Sequence, residues 1–323
     1  MNTLPVERAH QLHSPSPQTR WLIHGLWADE AVGIVGGEPK CCKSYLVLDM
    51  AISVASGSPC LRHFPVTRKG PVLLYAAEDA LHIVRARLEG ICSHLELDLA
   101  ELDIHVITAP SLWLDTELDQ KRLLATIELL RPTLLLLDPF VRLHRLDENL
   151  SSDVARILGY LRQLQRRFHL AVVLVHHARK AAHHLRAGQA LRGSSEFHAW
   201  GDSNLYLRRR DDQLSLTIEH RAAQGKADLP LVLQGIDDQL ALCLLQRPPV
   251  PVPPRSSLAD QQVLDALASA DSPLAFSVLR KRCRIRTESF CKLLAQLQAN
   301  GKIIKTPEGY LIPRSRASAS MSL

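Results

Sequence analysis

The stretch VGIVGGEPKCCKSYLVLDMAISVASG limits what this chain can fold into more than any other segment. A strand-like run from Val32 to Gly36 leads into Gly37-Glu38-Pro39-Lys40-Cys41-Cys42-Lys43-Ser44, and a helical run from Ser44 to Ala55 follows. The order is G-x-x-x-x-G-K-S with one departure: Cys42 stands where the second glycine belongs. A strand before and a helix after are what this motif needs, because backbone N–H groups and a helix N-terminus must converge on a phosphate. In that setting Lys43 neutralises the β- and γ-phosphates of a nucleoside triphosphate and the Ser44 hydroxyl ligates magnesium. The loop from Gly37 through Glu38, Pro39, Lys40, Cys41 and Cys42 to Tyr45 then forms the nucleotide site. Glycine lets such a loop curl close to a phosphate without a Cβ in the way, so the Cys42 side chain must turn outward or displace the nucleotide. A strand-turn-helix corner with an incidental Lys-Ser pair is the plainer alternative.

Around this loop, strand-like runs (Val72 to Ala76, Ile104 to Thr108, Thr133 to Leu137, Ala171 to Val175) alternate with helical patterns (Ala80 to Leu95, Asp119 to Leu130, Asp153 to Phe168). Runs such as LLLLD and AVVLV, uninterrupted by polar residues, are what strands buried on both faces of a parallel sheet look like. A doubly wound α/β core is therefore expected. Farther along, SNLYLRR, LSLTIEHR, LPLVLQ and LALCLL read as antiparallel strands extending the sheet. Arg247 to Ser257 (RPPVPVPPRSS) holds five prolines in eleven residues and suits an extended spacer. The expected organisation is a flexible N-terminus (1–14), a large α/β domain (15–246), a Pro-rich linker (247–257), a small domain (258–314) and a disordered tail (315–323).

Composition narrows the class further. With 46% hydrophobic and 22% charged residues the chain has a globular balance, which argues against disorder and against a disulfide scaffold. No run approaches the roughly 18 to 20 uncharged apolar residues of a membrane helix, and the first twenty residues lack the apolar core of a secretory signal. Seven cysteines, an odd number without paired zinc spacing, suit reduced thiols. A cytoplasmic protein with no membrane partner is expected.

Hydrolysis of a bound triphosphate needs a carboxylate on the magnesium side and a second one to polarise the attacking water. LLLLDPFVRLH ends a buried strand with Asp138, and VLLYAAEDA places Glu78 and Asp79 just after another. Either of the latter two could instead cap the helix that follows, and Asp79 is expected to do so. GEPKCCKS, YAAED, LLLLDPFVRLH, VVLVHHARK and LRGSSEFHAWGDSNLYL, in this order, resemble the RecA-like ATPases of the plasmid replicative helicase RepA type, over residues 15 to 245 or so. The resemblance implies a RecA-like P-loop NTPase core: a mainly parallel sheet extended by antiparallel strands, binding ATP and Mg2+. It implies a catalytic base at Glu78 and a magnesium site of Ser44 and Asp138. It places a γ-phosphate sensor at His176 and His177, with His177 the catalytic candidate, and a motif for DNA contact or subunit coupling at Arg192, Gly193, Ser194 and Ser195. Outside that context the two histidines would read as one core imidazole and one surface imidazole. Such proteins assemble into rings, a hexamer being expected here, and complete a neighbour's site with an arginine finger. Arg221 is the candidate, with Lys226 and Arg208 to Arg210 as rivals.

The net charge of +6 is confined to one region: residues 1–254 carry 28 Lys and Arg against 28 Asp and Glu, and residues 255–323 carry 11 against 5. The basic region reads as three helices (ADQQVLDALASA, FSVLRKRC, TESFCKLLAQLQANG, the last capped by Thr287) and two short strands around Thr306 to Gly309, a winged-helix arrangement. Phe290, Leu293, Leu294 and Leu297 fall at core spacing, while Arg280, Lys281, Arg282, Arg284 and Arg286, with Lys302 and Lys305, suit phosphate contact with DNA. The basic loop 180–195 is a second candidate DNA contact. A solvated face, or a module for protein contact, is the plainer reading of these charges.

Overall fold

A computed structural model of the chain describes residues 6–11, 20–148, 151–177, 196–210, 213–236, 239–245, 258–270, 272–283, 287–299 and 301–313. The chain divides into two compact units, Met1–Gln246 and Arg247–Leu323.

The first unit opens with a small antiparallel pair, β1 (Trp21–Ile23) and β2 (Trp27–Ala28). Next come β3 (Val32–Gly37), α1 (Lys43–Ser56), β4 (Val72–Ala76), α2 (Leu81–Ser93), β5 (Ile104–Val106), α3 (Glu117–Leu130) and β6 (Leu134–Asp138). They are followed by α4 (Ser151–Phe168), β7 (Ala171–His177), α5 (Glu196–Trp200), β8 (Ser203–Arg210), β9 (Gln213–His220), β10 (Lys226–Ile236) and β11 (Gln239–Leu244). Nine of these strands form one sheet in the order β11-β10-β9-β8-β3-β7-β6-β4-β5. From β8 to β5 all neighbours are parallel, and from β8 to β11 they are antiparallel. This is the mainly parallel sheet with an antiparallel extension expected of a P-loop NTPase core.

The unbroken apolar runs become strands because both faces of the sheet are covered. In β6, Leu134 and Leu136 pack into the layer beneath α1 and α2, while Leu135 and Leu137 pack into the opposite layer with α3 and α4. Helix α1 is buried almost all round, as its continuous apolar sequence requires, and ends at Gly57 in the left-handed region (φ 87°). Strand β3 passes so close to β8 that a Cβ added at Gly33 would lie 1.7 Å from the Ser203 carbonyl oxygen.

Some boundaries moved for local reasons. Helix α3 starts two residues before Asp119 because the Thr116 side chain caps it, accepting from the Asp119 backbone N–H at 3.4 Å. Strand β10 begins before the expected LPLVLQ run; a register irregularity between Lys226 and Leu229, where Asp228 adopts φ 51°, lets the chain re-join β9. The β1–β2 pair was not expected, being only three and two residues long.

The second unit holds α6 (Leu258–Ala268), α7 (Phe276–Cys283), α8 (Thr287–Ala299) and the antiparallel pair β12 (Ile304–Thr306) and β13 (Gly309–Leu311). Phe290, Leu294 and Leu297 of α8 are buried against Val263, Leu279 and Ile303, with Leu293 partly buried beside them. Arg280, Lys281 and Arg282 lie exposed on α7. Arg284, Arg286, the Thr287 side chain, the linker 247–257 and the tail 315–323 lie outside the described residues. Among the described residues no helix is long and apolar enough to cross a membrane.

Candidate nucleotide site

The sheet brings the separate motifs to one edge. Gly37 at the end of β3 is in register with His177 at the end of β7, and Ala76 at the end of β4 is in register with Asp138 at the end of β6. Four neighbouring parallel strands thus deliver the loop, the histidine, the aspartate and the acidic turn after β4 to their carboxyl ends, where ligands of open α/β sheets bind. The cleft there has a volume of about 400 Å3 and is lined by the loop from Pro39 to Tyr45 and by Ala76, Glu78, Asp79, Arg87, Asp138 and His177. A larger cavity, about 810 Å3, lies between α2 and the edge strand β5 among mostly apolar side chains such as Leu88, Leu97 and Val106. It contains none of the residues expected to act on a phosphate.

The loop is wound by two left-handed residues, Lys40 (φ 63°) and Cys42 (φ 65°, ψ 25°). Alternation of this kind turns successive N–H groups toward one side and makes an anion cradle. Cys42 therefore occupies a backbone conformation that favours glycine, which is the physical content of the missing motif glycine. Its carbonyl accepts the first helical bond, from Leu46 N–H at 3.1 Å. Lys43, only 6% exposed, donates from Nζ to the carbonyls of Gly37 (3.1 Å) and Glu38 (2.8 Å) and lies 3.9 Å from Cys41 Sγ. Gly37 and Glu38 thus hold the lysine, while Pro39 to Tyr45 line the cleft. A Cβ at Gly37 would meet the Leu207 carbonyl oxygen at 2.5 Å, which requires glycine there.

Asp138 faces Ser44, whose side chain hydrogen-bonds its carboxyl. Burial pushes that carboxyl up to about 6; the Ser44 bond and Lys43 pull it down, and Asp79 and Glu78 push it up again. A hydroxyl beside a carboxyl is the hard-oxygen donor set that suits magnesium, which keeps water and needs only one or two carboxylates. Among the described residues no cluster of three or more His, Cys, Asp or Glu forms an all-protein metal cage.

Glu78 accepts a hydrogen bond from Arg142 Nε at 3.1 Å and lies 3.9 Å from His177 Nε2. Asp79 does not cap α2, against expectation: the N-cap position is Ala80, without a side-chain cap, and Asp79 instead pairs with Arg87. Arg87 also lies over the Tyr45 ring, 5.3 Å from its centroid. The two histidines separate cleanly. His177 lines the cleft, whereas His176 is buried and stacks on Phe197, ring centroids 4.2 Å apart. Successive residues of a strand face opposite sides of the sheet, so only one of the pair can reach a ligand.

Arg221 does not line this cleft. Its guanidinium binds Asp202 at 3.1 Å and the carbonyls of Ala199 and Trp200, and Asp202 also pairs with Arg162. Lys226 sits over the Phe64 ring at 5.3 Å. Arg192, Gly193, Ser194, Ser195 and the rest of loop 180–195 lie outside the described residues. Two arginines without an expected role, Arg87 and Arg142, border the acids of the cleft, and Arg209, expected only as a rival arginine finger, instead borders the loop and donates to Cys42 Sγ at 3.6 Å. The sequence carries a hint only for Arg142, four residues beyond Asp138 in the same motif.

Compared with known protein families, residues 2–183 match the model of an AAA domain. The match spans the loop, both acidic turns and the double histidine.

Proposed function

Because the chain belongs to the AAA-domain family, a family of P-loop ATPases, we propose that it is a RecA-like motor of the plasmid replicative helicase RepA type. In this reading it forms a ring, taken as a hexamer, and couples ATP hydrolysis to work on DNA in replication or mobile-element maintenance. The observation that carries the proposal is the convergence of Lys43, Ser44, Asp138, Glu78 and His177 on one cleft at the ends of adjacent strands. Magnesium ATP, when bound, supplies the γ-phosphoryl group that is transferred to water. Lys43 and the loop amides hold the phosphates, and Ser44 and Asp138 offer oxygen ligands to the metal. Glu78 orients the attacking water and takes its proton, and His177 stands beside Glu78 to sense the phosphate.

The second unit is read as a winged helix whose Arg280, Lys281, Arg282, Lys302 and Lys305 contact DNA phosphates, supported by the confinement of the whole positive excess to residues 255–323. Arg221 is proposed to serve a neighbouring subunit as its arginine finger, after exchanging its bond to Asp202 for the neighbour's nucleotide. One observation favours a second reading, an ATP-binding adaptor that recruits partners to DNA with little hydrolysis: a left-handed cysteine in the phosphate loop.

ATP turnover measured with and without single-stranded DNA separates the two. Hydrolysis that rises with DNA supports the motor, and a forked-duplex assay then asks for unwinding. Glu78→Gln should abolish turnover while nucleotide binding persists, and Lys43→Ala should abolish binding. Calorimetry showing no ATP binding by the full chain would overturn both readings.

A further inference from the structure

The cysteine in the phosphate loop has a partner of its own. Strand β8 pairs with β3 in parallel, Gly37 opposite Leu207, so the next residues of β8 run past the end of β3 alongside the loop. Side chains alternate along the strand: Leu205 and Leu207 face the layer that contains α1, and Tyr206 faces the other. Arg209 continues the first set and therefore leans toward the loop and α1. It donates from Nη2 to Cys42 Sγ at 3.6 Å, and Cys42 packs against the same apolar layer.

We propose that Arg209 is a positioning residue for the nucleotide loop. It keeps the Cys42 thiol turned to the β8 side, so that a residue with a side chain can occupy a glycine position without entering the space of the phosphates. The inference rests on the nucleotide-loop reading above and adds to it a device that answers this chain's own departure from the motif. In a loop with glycine at position 42 the arginine would have nothing to hold. A direct contact between Arg209 and the nucleotide would instead act whatever residue stands at 42, and this difference makes the proposal testable.

The test is a double-mutant cycle on the full chain with R209A, C42G and both together, reading the Kd of a non-hydrolysable ATP analogue by calorimetry in the presence of magnesium. Loss of a hydrogen bond to sulfur corresponds to a weakening of roughly fivefold. That loss is expected for R209A alone and should fall below about twofold when R209A is made in the C42G chain. Equal weakening in both backgrounds, or none in either, overturns the proposal. A second readout needs no nucleotide. In a C291S background, which removes the exposed cysteine, R209A should speed labelling of Cys42 by a thiol reagent several-fold, and R209K should restore only part of the protection. Unchanged labelling overturns the positioning role. Faster labelling in a protein that binds no ATP analogue would uphold the Arg209–Cys42 contact while removing the nucleotide reading on which its purpose depends.

Discussion

Replacing Cys42 by glycine and, separately, by alanine isolates the strain of the phosphate loop. Both substitutions delete the thiol, its packing against the apolar layer and its bond from Arg209. Only glycine relieves the backbone, which sits at φ 65°, ψ 25°. An L-residue in this region costs about 1–2 kcal/mol, and the greater freedom of glycine in the unfolded chain offsets about 0.4–1 kcal/mol of the relief. The glycine variant should therefore be more stable than the alanine variant by about 0.5–1 kcal/mol. For a unit of this size, that is a difference in Tm of roughly 1–4 °C. Against the parent chain, glycine should lie within about 1 kcal/mol, because the relief is offset by the lost burial of the thiol, a few tenths of a kcal/mol at about 25 cal/mol per Å2, and by the lost bond from Arg209. Thermal unfolding followed by circular dichroism or scanning calorimetry, without nucleotide, reads both comparisons. An alanine variant that melts at or above the glycine variant would refute the assignment of strain to position 42.

Gly33→Ala places a Cβ 1.7 Å from the Ser203 carbonyl oxygen, so β3 and β8 must separate; a loss of about 3 kcal/mol or more in urea unfolding is expected, and a loss below about 1 kcal/mol would contradict the close approach. His176→Ala should cost about 2–3 kcal/mol through its lost stack on Phe197 and leave turnover nearly intact. His177→Ala should do the reverse, lowering kcat at least tenfold or so; equal melting losses for both would show that the division of roles is wrong. Burial holds the Asp138 carboxyl up at about 6 against an ordinary 3.8, so the folded state binds its proton more tightly and that stability is lost as pH rises through about 6. In chelated buffer, Asp138→Asn should remove up to about 3 kcal/mol of the decline in unfolding free energy between about pH 4 and 7; identical slopes in the two proteins would disprove it.

The core strands were legible because burial on both faces forces continuous apolar runs, and no surface strand writes LLLLD or AVVLV. The positions of Asp138, Glu78 and His177 followed for the same reason: parallel strands of one sheet end at one level, so residues just beyond such runs share an edge. The choice of His177 over His176 came from the family resemblance, since the strand pattern alone does not say which of two successive residues faces the cleft: that depends on the register of β7 against β3, and a one-residue slip would exchange them. Two things were not legible. Asp79 took Arg87 in place of the helix cap because a guanidinium two turns into α2 lies within its reach, a competition that local sequence does not reveal. The β1–β2 pair is too short to show a period.

Charge explains why the site had to be built locally. Residues 1–254 carry equal numbers of acidic and basic residues, so no general field draws a triphosphate to the first unit, and the cleft itself contains Glu78, Asp79 and Asp138, which repel one. Each acid is answered at close range: Arg142 and His177 at Glu78, Arg87 at Asp79, and Ser44 with Lys43 at Asp138. A cleft whose acids are each paired leaves Lys43 and the left-handed loop, a backbone form that suits an anion, to attract phosphate. The geometry of that loop therefore matters more here than in a site bathed in positive charge. An arginine that steadies residue 42 from outside the cleft adds no further cation to the pairs within it.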